Sequence, residues 1–333
     1  MGLPPFQYLA PRTLKESLEM LSEYKGKVRI VAGGTDIINH LRKRLISPPY
    51  IMSLKGVAEL TGIKKKSNEV VILAGTTLRE IVESATISEL FLSINQAAAL
   101  VAAPPIQNIA TIGGNLLQNT RCLFYNQSEL VRKAAPPCIK LRGKVCAAVK
   151  GSTRCFSVYQ GDMAPSLIAF DARAVLQKAG GTRKVPVSEL FSHNGKSPLS
   201  IENDELLTDI ILPIPRGSYG SSYQKLRMRT GLDYPLASSS VFVSVSKKGV
   251  IDQARVVIGA VGPAPMLVEQ ASPCLTGKRP EESAIEQAAE YAFQAAKPVN
   301  NLALPGAYRR TMVKVFTKRT IEAALRNLEK AGA

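Results

Sequence analysis

Four of the five cysteines in this 333-residue chain lie in one segment, between Asn119 and Phe156. The gaps between them are fifteen, seven and eight residues long, and the four are Cys122, Cys138, Cys146 and Cys155. The segment also carries eight basic side chains against one acid, Glu129. Because a positive field favours the thiolate, which is the form that binds metals, the segment is predicted to hold a metal or a metal cluster.

The spacing of these cysteines leaves the ligand open. No pair has the C-x-x-C spacing that zinc ribbons and ferredoxins use, so buried structural thiols, a zinc site and an iron-sulfur cluster are all compatible with it. The basic surroundings favour the cluster, since four thiolates around iron and sulfide carry net negative charge that arginine and lysine compensate. The fifth cysteine, Cys274, is far along the chain and is expected to be a packed or surface thiol.

Two glycine pairs form the second candidate site. They are Gly33-Gly34-Thr35-Asp36 and Gly113-Gly114-Asn115, and each is predicted to follow a β-branched strand. Consecutive glycines let backbone N–H groups converge on an anion, so two such turns could clamp a pyrophosphate, although each could also be an ordinary turn. Neither has the spacing of a dinucleotide fingerprint or of a P-loop.

Composition narrows the classes of function. The net charge of +17 is compatible with nucleic acid, but the basic residues are dispersed without aromatic interleaving, which favours acidic proteins or subunits as partners. The apolar run at residues 97–103 is too short to span a bilayer, and the N-terminus has no signal-peptide pattern. We expect a cytoplasmic protein that binds neither nucleic acid nor membrane. No G-x-S-x-G or H-E-x-x-H motif occurs, so no catalytic residue is predicted.

Helices and strands are predicted to alternate in the first part of the chain, whereas in the last part a group of strands is followed by helices. Capping boxes at Thr13 and Thr77 predict two helices, and residues 87–103 are predicted to form a helix that ends at two prolines. Residues 213–220 form the predicted linker. The strands are predicted at residues 28–32, 50–54, 69–74, 167–170, 173–177, 183–187, 206–212, 223–226, 236–246 and 250–260, and the last helices at 281–297 and 307–330. This order indicates the α+β class.

Three stretches together resemble a known family. Residues 30–37 (IVAGGTDI), residues 111–115 (TIGGN) and Gly161-Asp162 are similar to the FAD-binding medium subunit of the molybdenum hydroxylases, the xanthine dehydrogenase and carbon monoxide dehydrogenase family. In that family the Gly-Gly-Asn turn leads within a few residues to the Asp-containing strand. Here an insertion of about forty residues separates them, and this departure resembles the 4-hydroxybenzoyl-CoA reductase β subunit, whose insertion carries a [4Fe-4S] cluster.

The resemblance implies a domain plan. It implies a two-part FAD-binding domain of the PCMH or vanillyl-alcohol-oxidase-like type, with subdomains at residues 1–56 and 57–215 and the iron-sulfur insertion at about 119–156. A C-terminal flavoprotein domain, a small antiparallel sheet with helices, would occupy residues 216–333.

The resemblance also implies a set of site residues. Those expected to bind FAD are Ile30, Val31, Ala32, Gly33, Gly34, Thr35, Asp36, Ile37, Thr111, Ile112, Gly113, Gly114, Asn115, Asp162, Leu207 and Lys225. Asp162 and Leu207 are expected on the adenosine side or a nearby wall, and Lys225 near the flavin. Those expected to ligate the [4Fe-4S] cluster are Cys122, Cys138, Cys146 and Cys155.

The implied function is electron transfer in a molybdenum enzyme. A ferredoxin would supply electrons, which would reach a [2Fe-2S] small subunit and a molybdenum-cofactor large subunit through this chain, in a dimer of heterotrimers, for the reductive dehydroxylation of 4-hydroxybenzoyl-CoA to benzoyl-CoA. The alternative reverses the flow: the partner oxidises an aromatic or N-heterocyclic substrate and the FAD passes electrons outward. A third hypothesis is a basic, zinc-binding nucleic-acid or scaffold protein.

Overall fold

The computed structural model describes residues 2–331, so the last two residues of the predicted C-terminal domain lie outside it. Within that range the strands form three sheets, and helices pack beside each of them. The α+β class predicted from the order of elements is confirmed. None of the described helices combines the length and the apolar composition that crossing a membrane would need.

The first sheet has three parallel strands. They are β1 (Gln7–Leu9), β2 (Val28–Val31) and β3 (Tyr50–Ser53), with β3 in the centre. Two helices connect them, α1 (Leu14–Glu23) and α2 (Ile37–Arg42), and a 3₁₀ turn follows at Ala58–Leu60. Thr13 caps α1 by accepting a hydrogen bond from the Glu16 N–H, as the sequence predicted.

The second sheet has five antiparallel strands. They are β4 (Ile63–Lys65), β5 (Glu69–Leu73), β6 (Arg173–Lys178), β7 (Gly181–Pro186) and β8 (Leu206–Pro213), in the order β4-β5-β8-β6-β7. Residues 167–170, predicted as a further strand, are helical instead. All of Met163–Ala169 is buried, and periodicity alone cannot distinguish a fully buried helix from a buried strand.

Seven helices of the described range lie between β5 and β6. They are α3 (Leu78–Glu83), α4 (Ala85–Leu90), α5 (Leu92–Leu100), α6 (Pro104–Gln107), α7 (Ile112–Leu116), α8 (Glu129–Lys133) and α9 (Met163–Ala169). The capping box at Thr77 is complete, as predicted. The single helix predicted over residues 87–103 is wrong, because the chain breaks at Phe91 and at residues 101–103, and the prolines begin α6.

The third sheet is antiparallel and confirms the predicted C-terminal sheet. Its strands are β9 (Ser218–Leu226), β10 (Ala237–Val245), β11 (Ile251–Gly259) and β12 (Met266–Leu267), in the order β12-β11-β10-β9. Three helices follow, α10 (Ala271–Leu275), α11 (Glu282–Ala295) and α12 (Gly306–Ala331). The predicted linker lies where β8 ends and β9 begins.

The cysteine segment has little regular structure. Between its ends the chain forms only α8 and a 3₁₀ turn at Ile139–Leu141. Its two ends are joined by a β-bridge, in which the Arg121 N–H donates to the Val158 carbonyl (2.7 Å) and the Val158 N–H to the Arg121 carbonyl (2.8 Å). The segment is therefore a closed loop whose two ends meet at the bridge between Arg121 and Val158.

Candidate functional site

The two glycine turns meet in space. A Cβ on Gly33 would lie 1.9 Å from the carbonyl oxygen of Ile109 and 2.9 Å from the Cα of Ala110, so the first turn packs directly on the backbone that leads to the second. Gly114 lies on the same side, where a Cβ would stand 3.9 Å from that of Ala32. The structure thus brings together two motifs that are about eighty residues apart in the chain.

The first turn offers free hydrogen-bond donors. Among residues 2–331, no acceptor is bonded to the backbone N–H groups of residues 33–36. Residues 30–37 are each partly exposed, although Val28 just before them is buried. Gly34 has φ +76°, a conformation that glycine adopts at little cost. An open turn with unpaired N–H groups fits the pyrophosphate of a dinucleotide.

The second turn differs from its prediction. It does not follow a strand: residues 112–116 form α7, which Thr111 caps by accepting from the Gly114 N–H at 3.0 Å. The N–H groups of Ile112 and Gly113 donate to Thr76 and Ala74, and that of Asn115 donates to Thr111. These four donors are used within the fold, so the second turn contributes close backbone approach and the Asn115 side chain rather than converging N–H groups.

Asp36, expected to contact FAD, is paired with Arg121. The Arg121 guanidinium donates to the Asp36 carboxylate and stacks on the Tyr234 ring, with 3.8 Å between its central carbon and the ring centroid. It also donates to the Tyr234 hydroxyl at 2.8 Å. Arg121 therefore joins the first glycine turn, the start of the cysteine segment and the loop before β10. No motif in the sequence pointed to Arg121.

Asp162 and Lys225 form one buried ion pair. The Lys225 Nζ lies 2.9 Å from the Asp162 carboxylate, and the Tyr223 hydroxyl donates to the same carboxylate at 2.8 Å. Burial raises the pKa of Asp162 above its ordinary value, with Lys225 acting in the opposite direction. The sequence predicted these two residues for different parts of the FAD, and their places at the cofactor stay a prediction.

Leu207 lies in the hydrophobic core. It is buried in β8, where it pairs with Leu176 of β6, and it belongs to the same apolar cluster as Ala110 and Ile112. Its predicted place in the wall of the FAD site stays a prediction.

The four clustered cysteines line one cavity. Its walls also include Tyr125, Lys140 and Ser157. None of the four forms a disulfide. Within the described residues, no group of three or more Cys, His, Asp or Glu side chains is arranged to hold a single metal ion. Thiols spread around a cavity fit a group larger than one ion, which disfavours the zinc alternative.

Backbone hydrogen bonds set the positions of these thiols. The N–H groups of Tyr125 and Asn126 donate to the Cys122 carbonyl at 3.0 and 2.9 Å, and the Cys122 N–H donates to the Asn126 side chain at 2.8 Å. A tight turn holds Cys138: the Gly143 N–H donates to the Cys138 carbonyl at 2.9 Å. These bonds fix the backbone that carries two of the four thiols lining the cavity.

The predicted ease of deprotonation is wrong for Cys122 and Cys155. Burial raises the pKa of Cys122 to about 11 and also raises that of Cys155, where Lys140 acts in the opposite direction. Most basic side chains of the segment point to solvent, where water screens their field. Desolvation therefore outweighs the positive charge at Cys122 and Cys155.

Residues near the first sheet and residues before α12 form hydrogen bonds with the cysteine segment. Lys43 donates to the Asn126 carbonyl at 2.7 Å, and Arg132 donates to the Arg44 carbonyl at 3.0 Å. In the loop between α11 and α12, the Asn301 carbonyl accepts a hydrogen bond from the Leu123 N–H at 2.9 Å. The cysteine segment is thus hydrogen-bonded to residues that are far from it in the sequence.

Two family models match most of the chain. Residues 4–215 match the model of the FAD-binding domain in molybdopterin dehydrogenase, and residues 221–324 match that of the CO dehydrogenase flavoprotein C-terminal domain. The chain belongs to this family: it is an FAD-binding medium subunit of the molybdenum hydroxylase type. The FAD-binding domain type predicted from the resemblance is confirmed.

Individual relatives are similar over most of their length. The nicotinate dehydrogenase FAD-subunit of Eubacterium barkeri is 28% identical over 82% of this chain and 80% of its own. The carbon monoxide dehydrogenase medium chain of Afipia carboxidovorans is 26% identical over 96% of each. Among solved structures, the carbon monoxide dehydrogenase of Hydrogenophaga pseudoflava superposes with a TM-score of 0.81 at 25% identity, covering 98% of this chain and 99% of that one.

Proposed function

We propose that this chain is the FAD-carrying electron-transfer subunit of a molybdenum-dependent dehydrogenase or hydroxylase, which oxidises its substrate on another subunit. The observation that carries the proposal is the contact of Gly33 with Ile109 and Ala110, which makes one cradle from two distant turns. Relatives that are named as dehydrogenases of nicotinate and of carbon monoxide support the oxidative direction.

Within this proposal the residues have distinct roles. The free N–H groups of residues 33–36 would hold the pyrophosphate, and Asn115 would orient the chain of the cofactor beside it. The buried pair of Asp162 and Lys225 would form the inner wall. When bound, FAD accepts two electrons and exchanges them singly or in pairs. No residue of this chain is assigned an acid or base, because the substrate would bind to the molybdenum-containing partner.

The test is the cofactor content of the intact protein. The chain is isolated anaerobically with its natural partners, the flavin is released with acid, and FAD is separated from FMN and quantified. We expect one FAD per chain, reduced when the substrate of the complex is added. A colourless protein without flavin would contradict the proposal.

A second candidate function is favoured by the cysteine cavity. Four thiols around one cavity would hold a [4Fe-4S] cluster through Cys122, Cys138, Cys146 and Cys155. The subunit would then resemble the β subunit of 4-hydroxybenzoyl-CoA reductase, and electrons would enter from a low-potential donor such as a ferredoxin. The exposed basic residues of the segment suit an acidic donor.

The two candidates make opposite predictions about electron flow. In both, the partners would be a molybdenum-containing large subunit and a [2Fe-2S] small subunit. Reconstituted complex is mixed with reduced ferredoxin in one arm and with candidate aromatic or N-heterocyclic substrates in the other. Flavin reduction by the ferredoxin that requires iron in this chain supports the reductase, whereas flavin reduction only by substrate supports the hydroxylase. Iron and acid-labile sulfide are measured in the same samples.

The domain division remains part of the proposal. We place subdomain boundaries near residues 56 and 215, where the chain passes from one sheet to the next. Limited proteolysis of the complex would be expected to cut first near these positions or within the cysteine segment.

A further inference from the structure

The cysteine cavity contains a cation that lacks a carboxylate partner. Lys140 lines the cavity, and none of the ion pairs within residues 2–331 includes it. Its Nζ donates to the Asn119 side chain at 2.8 Å and to Thr120, and it lies 4.6 Å from the centre of the Tyr125 ring. Lys133 of the same segment, by contrast, is exposed and pairs with Glu129 at 3.0 Å.

The surroundings of Lys140 suit an anion. Removing an ammonium from water is costly unless a negative charge compensates it, and neutral oxygens and an aromatic face do so only in part. The four cysteines line the same cavity as Lys140, and the described lining includes no Asp or Glu side chain. The negative charge that suits this cation is therefore one carried by the thiolates themselves.

Ser157 is a second polar group without a partner. It lines the same cavity, it is 2% exposed, and its hydroxyl has no hydrogen-bond partner among the described residues. A buried hydroxyl without an acceptor costs free energy unless something bound in the cavity accepts its hydrogen bond.

We propose that Lys140 is the fixed counter-charge of the group bound by the four thiolates, that Ser157 donates a hydrogen bond to it, and that both raise its reduction potential. This inference rests on the iron-sulfur site proposed above. Uptake of one electron adds one negative charge to that group without requiring a proton. A positive charge held nearby stabilises the added electron, so the reduced form is favoured.

The experiment replaces the charge and keeps a donor. In Lys140→Gln the side-chain amide can still donate toward Asn119 and Thr120, whereas the positive charge is lost. The matched control is Lys150→Gln, which removes the same charge from an exposed position of the same segment that does not line the cavity. The full chain is purified anaerobically, and iron, sulfide and FAD are quantified. The cluster is then titrated with dithionite and followed by electron paramagnetic resonance.

We expect K140Q to keep iron, sulfide and FAD at wild-type levels and to become harder to reduce. The equilibrium constant for one-electron reduction should fall by about tenfold or more, which corresponds to about 59 mV. K150Q should titrate like the wild type, and the flavin potential, read from the visible spectrum of the same sample, should change less than the cluster potential. Ser157→Ala should shift the cluster potential in the same direction by a smaller amount.

The outcomes separate the inference from the function on which it rests. Wild-type protein that contains FAD but no iron or sulfide overturns both the iron-sulfur site and the role of Lys140. Wild-type protein that contains the cluster, together with K140Q at the wild-type potential, overturns the role of Lys140 alone. If K140Q loses iron, Lys140→Arg decides: restored iron at the wild-type potential supports the counter-charge, and iron loss in this variant as well shows a structural role and overturns the inference.

Discussion

Two regions of the molecule differ in the groups from which they are built. The glycine cradle is formed by residues 30–37 and 109–115, and the cysteine segment is residues 119–156. The cradle is made of backbone: its shape comes from Gly33 lying against Ile109, and its donors are peptide N–H groups. The cysteine segment offers side chains, and it is nearly free of regular structure. A backbone site exists only when two elements dock, whereas a side-chain site needs only to be anchored at several points.

The two regions also respond differently to burial. In the cradle, partial exposure leaves N–H groups ready for an anion. In the cysteine cavity, burial raises the pKa of Cys122 to about 11, so the thiol is protonated until a metal replaces the proton. The comparison therefore predicts that the cradle is ready to bind when folded, while the cavity must be assembled with its metal. Substitutions in each region test this difference.

The largest effect is expected from Gly33→Val in the cradle. A Cβ would meet the Ile109 carbonyl oxygen at 1.9 Å, and backbone on both sides cannot yield, so the two turns must separate. We expect FAD to be lost on purification while iron in the cysteine segment is retained, as measured by released flavin and by iron content. The matched control is Gly181→Val, where an added Cβ meets no atom within 4 Å. Stoichiometric flavin in the Gly33 variant would contradict the cradle.

The second prediction is the converse change. Cys138→Ser or Cys146→Ser should abolish iron binding and leave FAD bound, because neither residue contacts the glycine turns and serine is a poor iron ligand. Iron, sulfide and flavin analysis checks this, with Cys274→Ser as the control that keeps all three. Loss of flavin together with iron would show that the segment supports the cradle, and the two regions would then not be independent.

The third prediction concerns the pair that holds the framework of the cradle. Asp162→Asn leaves the Lys225 ammonium buried without its counter-ion, so the free energy of unfolding should fall by about 3–5 kcal/mol. Urea denaturation followed by circular dichroism measures the change. Asp171→Asn is the control, since it removes an exposed partner of Arg255 and should cost no more than about 1 kcal/mol. Equal effects of the two changes would show that burial does not matter here.

The smallest effect is expected at the link between the two regions. Arg121 precedes Cys122 in the chain and pairs with Asp36 of the first glycine turn. A double-mutant cycle with Asp36→Asn and Arg121→Gln should give a coupling free energy on the order of 1 kcal/mol, as for a partly exposed ion pair. Urea unfolding of the four proteins provides it. A coupling indistinguishable from zero would mean that the cradle and the cysteine segment are energetically separate.

Local signals in the sequence predicted local structure well. The capping boxes at Thr13 and Thr77 begin helices as expected, because a cap depends on groups three residues apart. The predicted antiparallel C-terminal sheet is present, and the FAD-binding domain type is that of the family. Residues 167–170 were misread, since a segment buried on every side has no periodicity that separates helix from strand.

By itself, the sequence determined the candidate groups: two glycine turns, four clustered cysteines and the elements around them. Only the tertiary structure decided which of these groups are free to act. The N–H groups of the second turn are used by Ala74 and Thr76, and the Asp36 carboxylate is paired with Arg121, 85 residues away. The physical reason is that hydrogen-bond satisfaction and desolvation depend on neighbours from distant parts of the chain, which spacing along the sequence does not specify.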